Sequence, residues 1–219
     1  NCGTARVAGG RLGTERLMRY VQRFGFGVRA TRDFPAESSG IVMPVARIRE
    51  HDLARVAIGY SVAVTPLQMA AAMSAVANGG ELLKPRIVRA RIAGATRTET
   101  TRDVVRRAIS AETAARLTTM MESVVEVGTA RSARVDGYSL AAKTGTARKL
   151  NPNGRGYVME YMASTAGFFP SRNPAVAMIV VVDSPKKKGY YGGAVAAPVF
   201  QRIADAALRH LAIAPNVKR

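Results

Sequence analysis

The sequence predicts an α+β fold, and three observations carry that prediction. Apolar residues recur with helical spacing from the start to about Lys84. Between Tyr138 and Val182 the spacing changes to short extended runs separated by Gly, Asn or Ser. A last amphipathic stretch, Val195–Leu211, returns to the helical period. Helices first, then strands backed by a closing helix, suits an antiparallel sheet packed on one side by helices.

Taken in order, Thr14 is placed to cap a helix whose apolar face is Leu17, Val21 and Phe24 and which stops at Gly25. Gly27–Arg47 lacks periodicity, contains Pro35, Gly40 and Pro44, and reads as a long loop. Asp52–Ile58 is a short helix. The strongest helix signal is "TPLQMAAAMSAVANGG": Thr65 at the N-cap, Pro66 at the first position, Gln68 completing a capping box and Gly79 ending it. Its expected core stripe is Met69, Met73 and Val76. "RIVRARI" and "VVRRAI" read as strands around a polar turn at Gly94–Asp103. "SAETAARLTTMMESVVEVG" is a helix capped by Ser110 with Leu117, Met121 and Val124 inward. Tyr138–Ala147, Ala163–Phe169 and Ala175–Val182 are three strands whose short links favour antiparallel pairing. The closing helix has Pro198 in its first turn and Val199, Ile203, Ala207 and His210 or Leu211 as its expected buried face. The chain divides into a helical lobe, residues 1–84, and a sheet-containing lobe, residues 85–219.

Composition excludes more than it identifies. The 219 residues carry a net charge of +18, from 33 Lys+Arg against 15 Asp+Glu, which attracts any polyanion. Trp is absent and aromatics are 6%, so a base-stacking platform for nucleic acid has little to build on. Cys2 is the single cysteine, which rules out an internal disulfide. The longest apolar run, Ala175–Val182, is a strand's length and far from the ~20 residues of a membrane helix. The two histidines, His51 and His210, lack ligand-spaced neighbours, so neither a metal nor another cofactor is expected. Without a histidine in a serine triad pattern, proton handling by this chain would fall to lysine.

The stretch "LAAKTGTARK", Leu140–Lys149, holds the chemistry such a chain needs. On an edge strand Lys143 holds a positive charge beside a serine hydroxyl, and Thr144 and Thr146 offer hydroxyls to a carboxylate. Gly145, without a Cβ, lets a substrate backbone lie close, and a free Thr146 N–H serves as an oxyanion donor. A bare Lys-Thr-Gly is also what an exposed edge strand with polar punctuation spells, and the tripeptide alone does not decide between the two.

Four longer segments decide it. "NCGTARVAGGRLGTERLMRYVQRFGFG", "ARVAIGYSVAVTPLQMAAAMSAVANGGELLKPRIV", "VVEVGTARSARVDGYSLAAKTGTARK" and "YYGGAVAAPVFQRIADAALRHLAI" resemble the class B penicillin-binding proteins over nearly the whole chain. The resemblance implies the penicillin-binding protein/serine β-lactamase-like transpeptidase fold, here without its N-terminal side. It implies a division-type peptidoglycan D,D-transpeptidase that forms a serine acyl-enzyme at D-Ala-D-Ala and is inhibited by β-lactams. By that resemblance Asn1 is the last residue of the Ser-x-Asn motif and contacts the substrate amide. Lys143, Thr144, Gly145 and Thr146 form the strand motif and oxyanion side, Arg148 approaches a bound carboxylate, and Tyr161, Tyr190 and Tyr191 line the cleft. The Ser-x-x-Lys nucleophile and the membrane anchor would lie before Asn1, so the chain alone is expected to be inactive. Implied partners are peptidoglycan stem peptides, β-lactams, the N-terminal part of the same protein and divisome membrane proteins, with no nucleic acid. The implied location is the extracytoplasmic face of the cytoplasmic membrane. A β-lactamase, a β-lactam sensor of the same fold, and a non-catalytic basic scaffold are the alternatives.

Overall fold

The computed structural model describes residues 11–31, 33–154, 156–187 and 189–217, with Glu50 and His51 described by their backbone alone. They form two compact units: one runs to Ala75 and resumes over Gly80–Ser110, and the other holds Val76–Gly79 and the chain from Ala111. No helix among the described residues is long and apolar enough to cross a membrane.

In the first unit, helix α1 spans Gly13–Arg23, and no side chain caps it. Gly13 (φ 71°) opens the helix, so the expected Thr14 cap sits inside the first turn. Met18 is the buried residue, while Leu17, Val21 and Phe24 are half-buried. The long loop expected next is broken by strand β1 (Ile41–Val42) and a 3₁₀ turn at Val45–Arg47. Helix α2 (Glu50–Ala57) follows, then strand β2 (Val62–Ala63), which pairs antiparallel with β1.

Helix α3 (Pro66–Ala77) begins with the capping box the sequence predicts: Gln68 N–H donates to Thr65 Oγ1 (3.1 Å), and Thr65 N–H donates to Gln68 Oε1 (2.8 Å). The same buried Gln68 donates from Nε2 to Val28 O (2.7 Å) and Ser39 O (2.9 Å), which pins the loop to the helix start. The buried stripe is Gln68, Ala72, Ala75 and Val76, and the methionines are only half-buried. Gln68, tied by its side chain to Val28 O and Ser39 O, sets which face turns inward, so Met69 and Met73 fall beside the buried stripe.

Strand β3 (Glu81–Leu83) pairs with β6 (Val104–Arg107), and β4 (Ala90–Ala93) pairs with β5 (Thr96–Glu99). The expected polar turn at Gly94–Asp103 is therefore a hairpin, closed by two residues with Gly94 at φ 57°. Thr96–Glu99 looks like loop because both of its faces are polar, and both are exposed.

The second unit opens with helix α4 (Ala111–Glu126), which buries Ala114, Thr118, Met121 and Val125. Of the expected inward residues Met121 is buried, and Leu117 and Val124 are half-buried. Strands β7 (Ala141–Leu150), β8 (Tyr157–Phe169) and β9 (Val176–Asp183) form an antiparallel sheet in the order β7-β8-β9, as expected. A short helix, α5 (Gly192–Val195), leads into α6 (Ala197–His210). The buried face of α6 is Ala197, Phe200, Ala204 and Leu208, one residue on from the expected Val199, Ile203 and Ala207. Phe200 decides the rotation: its ring packs edge-on against Phe169 (5.8 Å between centroids, 82°) in a core that includes Val125, Leu140 and Ala142. His210 is exposed.

Two polar clusters hold the ends of this sheet. Tyr138 donates its hydroxyl proton to Ile213 O (2.7 Å), and Asn216 Oδ1 accepts from Ser139 N–H (2.9 Å), so the tail binds the segment entering β7. Glu122 on α4 accepts two bonds from Arg172 (2.7 Å each) and one from Ser171 Oγ (2.5 Å). Burial pushes the Glu122 carboxyl up, but the bonds from Arg172 and Ser171 outweigh it and hold the group below its usual range.

Candidate active site

Strand β7 has β8 on one side and, among the described residues, no strand on the other. An edge strand keeps alternate N–H and C=O groups unpaired and aimed outward. Its register on β8 sets Lys143 opposite Ala166, Thr144 opposite Thr165, Gly145 opposite Ser164, Thr146 opposite Ala163 and Arg148 opposite Tyr161. Alternation puts Thr144, Thr146 and Arg148 on one face and Lys143 and Gly145 on the other.

Lys143 is exposed, and its Nζ donates to Thr144 O (2.7 Å) along the open edge. That bond uses one of three ammonium protons and leaves two for a ligand or nucleophile. Thr144 Oγ1 lies 2.7 Å from Thr129 Oγ1. Thr146 Oγ1 accepts from Gly192 N–H (3.0 Å), so the hydroxyl's own proton is left to donate outward. Both threonines are thus oriented from behind by residues remote in sequence.

The approach from behind requires glycine. A Cβ on Gly192 would sit 2.3 Å from Ser164 O and 2.5 Å from Gly145 O, and one on Gly193 would sit 2.3 Å from Thr129 O. The Gly192–Gly193 pair therefore lets the start of α5 lie directly on the backbones of β7 and β8. Gly145 is constrained too: a Cβ there would meet Ser164 Oγ at 2.6 Å. The sequence reading assigned its missing side chain to the substrate, and Ser164 across the strand already requires it.

Beyond Thr146, four predicted residues come together. Tyr161 stacks on Tyr190 (centroids 4.0 Å, 14°), and Tyr190 leans on Tyr191 (4.5 Å, 33°). The Arg148 guanidinium lies 5.9 Å from the Tyr161 ring centre, within cation–π range. Tyr190 donates to Tyr191 Oη (3.2 Å), and that bond holds the Tyr190 phenol above its ordinary pKa. The result is an aromatic wall capped by a cation. Asn1 lies outside the described residues.

A Ser-x-x-Lys spelling does occur once, at Ser184–Lys187. It follows β9 rather than opening a helix, and Ser184 has φ 47°. Its Oγ lies 2.7 Å from both Glu160 Oε2 and Asp183 Oδ1, and it accepts from Lys149 Nζ (3.2 Å). The bond to Asp183 holds Lys149 above its ordinary pKa, so it stays an ammonium and is no base. Among the described residues no group of His, Cys, Asp and Glu could hold a metal ion.

The model of the penicillin-binding protein transpeptidase domain matches residues 1–205. The chain belongs to the penicillin-binding protein transpeptidase family. It is 38% identical over 211 residues to stage V sporulation protein D of Bacillus subtilis, covering 95% of this chain and 32% of that protein. It is 35% identical over 217 residues to the probable peptidoglycan D,D-transpeptidase PenA of Neisseria meningitidis, covering 99% of this chain and 36% of that protein. Among solved structures, penicillin-binding protein 3 of Mycobacterium tuberculosis in complex with aztreonam superposes with a TM-score of 0.89 at 33% identity, over 98% of this chain and 50% of that one. The chain spans about a third of the length of these curated relatives. The fold expected from the class B resemblance is thereby the observed one.

The sequence reading missed Thr129 and Ser164. Neither sits in a spelled motif: Thr129 lies in the turn after α4, and Ser164 is one small residue in a strand of small residues. The only legible signal was the glycine pair at 192–193, which marks where two backbones must touch.

Proposed function

We propose that the protein carrying this chain is a peptidoglycan D,D-transpeptidase. A serine attacks the D-Ala-D-Ala carbonyl of a stem peptide and releases the terminal D-Ala as leaving group. The acyl-enzyme then passes the acyl group to an amine of a neighbouring stem, regenerating the serine. A β-lactam acylates the same serine when its ring amide opens. In this reading residues 1–84 and 85–219 are two lobes of one transpeptidase domain, and a family match running through residues 1–205 supports that.

The observation that carries the reading is the β7 edge, where an ammonium, two oriented hydroxyls and a cation-capped aromatic wall line one open strand. Lys143 lowers the cost of developing negative charge near the nucleophile, and Thr146 N–H donates to the tetrahedral oxyanion. Thr144 and Thr146 donate to the substrate's terminal carboxylate, and Arg148 adds charge beside them. Tyr161, Tyr190 and Tyr191 shield one side from water. Asn1 holds the substrate amide, and the nucleophile with its lysine comes from outside these 219 residues. The protein works in the cell envelope, on the extracytoplasmic face of the cytoplasmic membrane, with divisome membrane proteins as partners.

The test is product analysis with the full-length protein and peptidoglycan pentapeptide stems. Release of D-Ala with formation of cross-linked dimers, both blocked by penicillin, is expected. Rapid turnover of penicillin without cross-linking would favour the β-lactamase alternative.

A further inference from the structure

Apart from half-buried Ala90, the β4–β5 hairpin in the first unit is exposed along both strands and belongs to none of the machinery above. Residues 86–107 hold seven arginines against two carboxylates, Glu99 and Asp103. Pairing sorts them by face. Ala93 lies opposite Thr96 and Arg91 opposite Thr98, and Thr100 N–H donates to Arg89 O (2.8 Å). With alternate side chains on opposite faces, Arg89, Arg91, Thr96, Thr98 and Thr100 share one face. Ile92, Arg97 and Glu99 take the other, and Arg97 pairs with Glu99 there (2.7 Å). The first face holds no carboxylate, and among the described residues neither Arg89 nor Arg91 has an ion-pair partner.

This face continues into a polar cleft of about 290 Å³, which Thr100 also lines. The cleft's cations are Lys84, Arg86 and Arg102, and its carboxylates are Asp33 and Asp103. Arg86 donates to Thr100 O, Arg102 pairs with Glu81, and Lys84 lies 4.0 Å from Asp33.

The chemistry of the face selects its occupant. Guanidinium forks about 7 Å apart match carboxylates spaced along a flexible polymer, and the facing hydroxyls match sugar hydroxyls and amides. Residues 86–107 contain no aromatic side chain, so bases have nothing to stack on. Ile92 lies on the face opposite Arg89 and Arg91, and the apolar residue that shares their face, Ala93, has a single methyl and offers little to a bilayer. We propose that the Arg89–Arg91–Thr96–Thr98–Thr100 face is a binding ledge for the carboxylate-bearing peptide stems of peptidoglycan. The choice of polymer rests on the transpeptidase reading; the anionic, non-aromatic, non-lipid class of ligand does not.

The experiment is pelleting of the full-length protein with purified insoluble peptidoglycan. Binding should weaken as salt rises from about 50 to about 300 mM. Arg89→Gln/Arg91→Gln should bind roughly three- to tenfold more weakly than the parent at low salt. Amidating the polymer's carboxyls should bring the parent down to that level. Arg89→Lys/Arg91→Lys, which keeps the charge but not the forks, should fall between the two. Thermal unfolding midpoints matching the parent's keep the comparison on the ledge. A Gln double variant that pellets like the parent, or a parent indifferent to amidation, overturns the proposal. So does a Gln-variant loss as large on phosphatidylglycerol vesicles or on RNA as on peptidoglycan. Penicillin acylation of the parent is read in the same samples; its failure would count against the transpeptidase reading, while the ledge is decided by the pelleting alone.

Discussion

A threonine hydroxyl has one proton to give and two lone pairs to receive, and on β7 the partners of each are fixed by residues far away in sequence. Thr146 receives from Gly192 N–H and so presents its proton outward, while Thr144 is coupled to Thr129. Thr129→Val should therefore slow penicillin acylation about three- to tenfold, one neutral hydrogen bond's worth, with Thr129→Ser restoring it. A stopped-flow acylation series reads this, and equal rates for Val and parent would show that Thr144 is oriented without Thr129. Lys143→Ala should cost roughly a hundredfold or more in acylation with an unchanged unfolding midpoint, because the exposed ammonium acts on charge in the transition state. Gly192→Ala should lower stability by about 3 kcal/mol in denaturant titration, since the new Cβ would lie 2.3 Å from Ser164 O. Lys143–Thr146 was legible because four consecutive residues spell it. Thr129 and Ser164 were not, because they act through folding the chain back on itself, and the glycine pair at 192–193 signals a close approach without naming the backbone it approaches.

Elements were legible where one strong periodicity or one complete cap fixed them. The Thr65–Gln68 box and the three strands of the second unit are of that kind. They failed where two stripes were nearly equal or where a face was wholly polar. In α6 both candidate stripes are rich in alanine and branched aliphatics, and only packing of Phe200 on Phe169 separates them. The β5 strand, Thr96–Glu99, has no apolar face to announce it. The union of α4 with the segment after β8 was equally invisible, since Glu122 and Arg172 are far apart in sequence. Glu122→Gln should destabilise the domain by about 1–3 kcal/mol, by leaving Arg172 and Ser171 with weaker acceptors. Because the folded carboxyl titrates below its unfolded value, its contribution is fully present above an unfolded pKa of about 4.3 and is lost as pH falls through the lower folded value. Unfolding curves of parent and Glu122→Gln should thus converge as pH falls through that lowered folded value, and a gap that persists once the folded carboxyl is protonated would assign the effect to packing instead.

At the scale of the whole molecule the sequence was most legible in its order of elements and in its family. The +18 charge, by contrast, could be assigned to no surface until strand pairing placed Arg89 and Arg91 on one face of a hairpin. In the proposed transpeptidase reading the second unit supplies one wall of an acylation site and the nucleophile comes from another part of the protein. The chain's eleven serines include Ser184, the only one in a Ser-x-x-Lys spelling, and that hydroxyl is engaged by Glu160, Asp183 and an ammonium. The measurement that tests this most directly is localisation of the penicilloyl group by peptide mass after reaction of the full-length protein with penicillin. One adduct per molecule is expected, on a serine outside these 219 residues, forming roughly a hundredfold more slowly in Lys143→Ala. An adduct on any serine of this chain, Ser184 included, or no adduct on the full-length protein, would contradict it.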